Sequence, residues 1–188
     1  MSNSVTTESH PGTLIVRFNR PEIRNPLSLD VLAELEQILD SIWVLPKLIF
    51  TGSGGVFASG ADLREIAALS HEEAPEFARR GQALMDGIAA LRVLTIASIE
   101  GPCFGGALDL ALACDRRIAA PDARFCHPGT GLGIITGWGG TQRLPRLVGE
   151  CATLEMLFTA EPIDATDAKR IGLIDEIATD PLAAAIKF

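Results

Sequence analysis

No stretch of this 188-residue chain approaches the roughly 20 apolar residues that a membrane-spanning helix needs. Its opening, Met1-Ser-Asn-Ser-Val-Thr-Thr-Glu-Ser-His10, lacks the charged-then-apolar order of a secretory signal. Together these read as a cytoplasmic protein with no membrane partner. Basic clusters are missing as well. The formal net charge is −8, and backbone phosphates are bound by clustered Lys and Arg, so nucleic acid is not the expected partner. One phosphorylated ligand stays open, because a few local Arg residues can hold it. Histidine is scarce, at His10, His71 and His127, and Cys103, Cys114, Cys126 and Cys151 show no C-x-x-C spacing. No zinc pattern follows and no metal is expected. The cysteines read as small core residues in a reducing compartment. Neither an internal repeat nor a low-complexity linker is present. What is plentiful is apolar: 47% of residues are hydrophobic, enough to exclude disorder and to fill the core of one domain.

Apolar periodicity alternates between strand-like and helix-like along the chain. Thr13-Leu-Ile-Val-Arg-Phe18 reads as a first strand, stopped by Asn19-Arg-Pro21. Ser28 caps a helix whose positions Leu29, Leu32, Leu35, Ile38, Leu39 and Ile42 follow helical spacing, with Pro46 ending it. Lys47–Thr51 and Leu94–Ile99 are strands, and Ala61–Leu69 is a short helix. Ser70 with Glu73 forms a capping box for a helix reaching about Leu91. A compact helix runs through Cys114, followed by short strands at Arg117–Ala120 and Arg124–Cys126. Six glycines between Gly129 and Gly140 predict irregular structure there. Helices are expected near Thr141–Leu147, Glu150–Ala160 and Ala165–Arg170, then a strand at Leu173–Ile177. This alternation predicts an α/β fold with helix-covered sheet faces.

Chemistry concentrates in two glycine-centred turns, Phe57-Ala-Ser-Gly-Ala-Asp62 and Gly105-Gly106. Each follows an apolar strand and opens onto a helix, where free backbone N–H groups attract developing negative charge. Two such starts can hold one oxyanion between them. Asp109 lies three residues beyond Gly106, on the same helix face as that donor. The helix around it, Ala107-Leu-Asp-Leu-Ala-Leu-Ala-Cys114, is otherwise apolar all round, so the carboxylate is expected to be buried. A buried carboxyl is paired, hydrogen-bonded or raised in pKa, and a raised pKa suits a general acid or base. The plain alternative for Asp109 is a salt bridge to a core Arg. Asp62 has an equally plain reading, complementing the dipole of the helix that follows it. Neither turn matches a phosphate fingerprint, and Ser59 lies in no G-x-S-x-G elbow. His127, before Pro128-Gly129, reads mainly as structural, and Trp138 as a pocket wall or a packing anchor.

Four segments, taken together and in order, resemble the crotonase family of enoyl-CoA hydratases and isomerases. They are Phe18-Asn-Arg-Pro-Glu-Ile-Arg-Asn25, Phe50-Thr-Gly-Ser-Gly-Gly-Val-Phe-Ala-Ser-Gly-Ala-Asp-Leu63, Glu100-Gly-Pro-Cys-Phe-Gly-Gly-Ala-Leu-Asp109 and Gly137-Trp-Gly-Gly-Thr-Gln-Arg-Leu-Pro-Arg146. The resemblance implies a spiral of ββα-type units, assembly as a homotrimer or hexamer, and an acyl-CoA thioester substrate, with no cofactor beyond the coenzyme A that the substrate carries. It puts the oxyanion-hole N–H groups on Ala61 and Gly106 and the catalytic carboxylate on Asp109. Coenzyme A contacts are implied near Arg24, Ser59, Ala61, Asp62 and Leu63.

Two departures qualify the reaction expected. Hydratases of this family carry a second carboxylate where this chain has Gly129, and dienoyl-CoA isomerases place a further Asp at the position of Gly137. With Asp109 alone, double-bond isomerisation through one proton carrier fits better than water addition. Decarboxylation, thioester hydrolysis and a non-catalytic coenzyme-A-binding or assembly subunit remain as rivals, as does a Ser59 hydrolase. The second departure is the end of the chain. Residues 1–178 are expected to form the core domain, and 179–188 the start of a C-terminal helical region that stops early.

Overall fold

The computed structural model describes residues 4–41 and 46–188. Its strands, in chain order, are β1 (Val5–His10), β2 (Thr13–Phe18), β3 (Lys47–Thr51), β4 (Leu94–Ile99), β5 (Pro102–Phe104), β6 (Arg116–Ala119), β7 (Arg124–Cys126), β8 (Ile163–Asp164) and β9 (Glu176–Ile177). The helices are α1 (Leu29–Ser41), α2 (Leu63–Ala68), α3 (Ala74–Ala89), α4 (Gly106–Ala113), α5 (Gly140–Val148), α6 (Glu150–Thr159), α7 (Ala165–Arg170) and α8 (Pro181–Lys187). The fold is mixed α/β, as the alternating periodicity predicts. Ile42, the last position of the first helical stripe, lies outside the described residues.

One sheet has the order β1-β2-β3-β4-β6-β9, antiparallel between β1 and β2 and parallel from β2 onward. Parallel strands with both faces covered read as continuous apolar runs. Here the period-two alternation of each strand divides its side chains between two cores. Val16, Phe18, Leu48, Phe50 and Ala97 face the main core with α1, α3 and α4. Ile15, Ile49 and Ile96 stack across the sheet in register on the other face, Ile118 follows two residues further along β6, and all four belong to the core that includes Ala185 of α8. The last segment, set apart in the sequence reading, thus covers one face of the sheet. Lys47 Nζ donates to the Ala185 and Ile186 carbonyls, at 3.0 and 2.6 Å, and so fixes the end of that helix.

A second sheet, β5-β7-β8, is small but sets the site. An isolated parallel bridge joins Ala58 to Cys103 at its edge, so the two glycine turns grow from paired backbone. Ahead of them, Asn25 ties three segments together. Its Oδ1 accepts from Arg20 N at 2.7 Å, and its Nδ2 donates to the Ser53 and Val56 carbonyls at 3.1 and 2.7 Å. Its φ of +50° is a left-handed value that Asn adopts more readily than Ala, for which it costs about 1–2 kcal/mol. Asn25→Ala is therefore expected to lower unfolding free energy by about 3 kcal/mol in urea titration, from the lost buried bonds plus the backbone penalty.

Several elements differ from the sequence reading. β1 forms although Val5 is the only buried residue in it. Its exposed middle, Thr7-Glu-Ser9, hides the strand among residues that look like a polar leader. Pro128–Leu132 is a short 3₁₀ turn inside the glycine-rich segment. The strand expected over Leu173–Ile177 shrinks to β9. Leu173 and Ile174 are instead drawn into the core by a turn in which Leu173 N donates to Ala168 O at 2.8 Å. Among the described residues, no helix is long and apolar enough to cross a membrane.

Candidate active site

Backbone pairing brings the two turns together. Ala58 N donates to Pro102 O and Phe104 N to Ala58 O, each at 3.2 Å, and Gly105 N donates to Cys126 O at 2.8 Å. Gly60 then turns with φ +90° and Gly105 with φ +54°, values that glycine adopts freely. The result is close approach of two amides. A Cβ on Gly106 would stand 3.3 Å from Ala61 N, and a Cβ on Gly60 would stand 2.9 Å from Gly106 N. Side chains at either glycine would fill the space beside the opposite N–H. Among the described residues, neither the Ala61 nor the Gly106 amide donates to another protein group. Both border a cleft of about 140 Å³ that Asp109, His127, Gly129 and Trp138 also line.

Asp109 sits in the first turn of α4, where residues 107–113 are all buried. Its side chain is 1% exposed and, among the described residues, has no salt bridge to a core Arg. The Thr136 hydroxyl donates to Oδ2 at 2.5 Å, whereas Oδ1 has no partner. Burial pushes this carboxyl up to about 6. The Thr136 hydroxyl, the N–H groups of Trp138 and Gly140 at the start of α5, and the Arg143 charge pull the other way. The same close packing dictates glycine at position 140, where a Cβ would lie 2.2 Å from Oδ1 and 2.9 Å from His127 Nε2.

His127 stands nearer the chemistry than its sequence position suggests. It follows β7 directly, and the bond from Gly105 N to Cys126 O holds it beside α4. Its Nε2 lies 3.7 Å from Asp109 Oδ1, its side chain is 1% exposed, and neither ring nitrogen has a hydrogen-bond partner among the described residues. Burial pushes the imidazole down to about 4. At neutral pH the pair is thus a carboxylate facing a neutral imidazole. Thr136 and Gly140 escaped the sequence reading. The spacing of 27 residues between Thr136 and Asp109 leaves no local signal. For His127 a signal existed: a histidine at the mouth of a glycine-rich loop that follows a short strand.

Trp138 serves both readings offered for it. It is 3% exposed, lines the cleft, and lies over Gly81 and Gly106, where a Cβ would approach its ring to 2.1 and 2.5 Å. Phe77 packs against it with ring centroids 5.5 Å apart. Gly129 also lines the cleft, but the loop folds back on it. Ile134 N donates to Gly129 O at 2.9 Å, and a Cβ on Gly129 would stand 2.9 Å from Ile134 O. In this loop conformation a longer side chain at that position has no room.

The remaining residues named from the sequence divide into two groups. Ser59 and Leu63 line the cleft, and Leu63 is 53% exposed. Arg24 is exposed, and its carbonyl accepts from Ser59 N at 3.0 Å, so these two segments run side by side. Asp62 is committed elsewhere. Its Oδ1 caps α2 by accepting from Arg64 N at 2.9 Å, and its Oδ2 accepts from Arg64 Nη2 at 2.6 Å. The bonded guanidinium holds this carboxyl below its ordinary range. Only its main chain and a fixed loop are left to offer a ligand.

Residues 8–183 match the model of the enoyl-CoA hydratase/isomerase family. A crotonyl-CoA hydratase of Syntrophomonas wolfei is 40% identical over 178 residues, covering 93% of this chain and 68% of that protein. The human mitochondrial methylglutaconyl-CoA hydratase is 39% identical over 174 residues, covering 90% of this chain and 51% of that protein. The chain therefore spans about half to two thirds of the length of these relatives. Among solved structures, Pseudomonas aeruginosa DspI superposes with a TM-score of 0.94 at 34% identity, covering 99% of this chain and 78% of that one. A Bacillus anthracis enoyl-CoA hydratase superposes with a TM-score of 0.93 at 35% identity, covering 98% and 74% respectively.

Proposed function

The chain belongs to the enoyl-CoA hydratase/isomerase family, and from that premise we propose that it moves protons at the carbons next to the carbonyl of an acyl-CoA thioester. The observation that carries this reading is the pair of unpartnered amides, Ala61 and Gly106, bordering the same cleft as the unpartnered Oδ1 of Asp109. The amides would bind the thioester oxygen as it gains charge, and Asp109 would take or return the proton on the adjacent carbon. Preorganised donors in a site screened from water stabilise such an enolate without reorganising. The wall formed by Leu63, Ile66, Phe77 and Ile134 suits an aliphatic acyl group. Coenzyme A would run along the adjacent segments of Arg24 and Ser59.

Two outcomes follow from one enolate. Return of the proton to a different carbon gives double-bond isomerisation, which Asp109 can perform alone. Water addition is favoured by the names of the relatives, which are hydratases. Assembly as a trimer belongs to the same proposal. Leu154 and Phe158 of α6, 49% and 75% exposed, support it as apolar surface in want of a cover.

Incubation with 2-enoyl-, 3-enoyl- and malonyl-CoA thioesters in D₂O, followed by mass spectrometry, tests the reading. The expected result is deuterium entering the acyl chain of at least one enoyl thioester. Gain of deuterium without added water identifies isomerisation, and added water identifies hydration. If no thioester exchanges or turns over, the proposal is wrong.

A further inference from the structure

We propose that His127 is the base for water addition in this cleft, with Asp109 as the acid, so that an imidazole does the work of the absent second carboxylate. The inference rests on the acyl-CoA reading above. It starts from two groups the fold has buried without satisfying. Among the described residues, neither nitrogen of His127 has a partner, nor does Oδ1 of Asp109, although both side chains are 1% exposed. An unsatisfied buried polar group is costly, and natural proteins keep few of them. Both groups line the cleft, where a water carried in with substrate would satisfy them. Thr136 holds Oδ2, leaving Oδ1 as the oxygen that faces Nε2 at 3.7 Å. Gly129 supplies no competing acid, and the folded-back loop leaves no room for one.

The steps balance. Neutral His127 accepts a proton at Nε2 from a water whose oxygen bonds the β-carbon of the enoyl thioester. The electron pair of the double bond moves onto the thioester oxygen, held by the Ala61 and Gly106 amides. Protonated Asp109 then gives its proton to the α-carbon, the carbonyl reforms, and the product is the 3-hydroxyacyl thioester. Imidazolium Nε2–H finally returns one proton to Oδ1 through a water that bonds both groups, since 3.7 Å is too long for direct transfer, and the starting state is restored. One proton shared by the pair is what the cycle needs.

Burial sets the pair apart in the required sense, with the carboxyl raised to about 6 and the imidazole lowered to about 4. The single-proton form therefore dominates between those values. Charged and titratable neighbours are few. Arg143 of α5 acts on Asp109, and the Cys103 thiol of β5 is pushed far up by burial and stays neutral.

The test compares the unaltered chain with His127→Gln, which keeps bulk and polarity but cannot carry the proton. Hydration of crotonyl-CoA and exchange of the α-protons of butyryl-CoA in D₂O are followed in parallel. Hydration is expected to fall about 10²–10³-fold, the size of a lost general base, and at least about tenfold further than exchange, which needs the Asp109 carboxylate and no second proton carrier. Hydration within about threefold of the unaltered chain, or an equal loss of both activities, overturns the inference. The pH profile of the unaltered chain decides independently of how the variant folds. Hydration should fall on both sides of the single-proton window while exchange rises with pH to a plateau, and a hydration rate that also rises to a plateau overturns the inference. Exchange without any hydration refutes His127 as the base and leaves the acyl-CoA reading standing. Absence of both refutes the two together.

Discussion

Asp109→Asn is expected to reduce acyl-CoA turnover and α-proton exchange by at least about 10³-fold, within the range for loss of a general acid or base, without unfolding the protein. The amide is nearly the same shape as the carboxyl, and its oxygen can still accept from the Thr136 hydroxyl. Only the ability to carry a proton is removed. Stability should move in the opposite direction to activity, and the sign follows from the raised pKa. Burial holds the folded carboxyl at about 6, above its ordinary 3.8. Between those values the folded state keeps a proton that the unfolded chain releases, so stability falls as pH rises through the window. Above the folded value the cost is complete, about 3 kcal/mol. Asn carries none of it. The variant should therefore melt above the parent at pH 8 and level with it near pH 4, read by calorimetry at both pH values. A variant that loses activity and also melts far lower at pH 8 would point to a structural carboxylate, and the proton-carrier role would fail.

That trade-off also explains why this residue was visible in the sequence. A single acid in a helix apolar on every side contradicts the pattern around it, and such contradictions collect at sites. The glycine turns were visible for a related reason. Glycines after an apolar strand and before a helix mark backbone that must turn sharply or pack closely, and Gly60 and Gly105 do so with positive φ. Periodicity likewise revealed the buried parallel strands, whose apolar runs have no polar face to confuse them. What it could not reveal was pairing between short or polar segments. β5 has three residues and β1 buries only Val5, so neither carries a pattern, yet β5 is what sets Ala61 beside Gly106. The Thr136 bond to Asp109 and the contact of His127 with it depend on how the glycine-rich segment folds back. Loop geometry of that kind has no period to read.

Ala61→Pro removes one backbone N–H and sets the ring Cδ in its place, so it both deletes a donor and narrows the proposed oxyanion site. Among the described residues the Ala61 amide has no acceptor, so proline there breaks no hydrogen bond among them. The bridge between Leu27 and Ala61 uses Leu27 N and Gly60 O, at 2.8 Å, and leaves that N–H unused. Proline also restricts the residue before it, but the preceding residue is Gly60, which has no Cβ to clash. Loss of one oxyanion donor is expected to lower kcat by about 10²–10³-fold, since the remaining Gly106 N–H must hold the developing charge alone. Ala61→Gly keeps the amide and should retain activity within about threefold, which separates the N–H from the methyl group. Coenzyme A affinity, measured by calorimetry, should change little in either variant, because the donor acts on the thioester oxygen as charge develops and not on the nucleotide end. Turnover by the proline variant within about threefold of the parent would mean that the carbonyl lies elsewhere. The unpartnered amides would then owe their freedom to the glycine turns alone, and Asp109 would need a different carbon to serve.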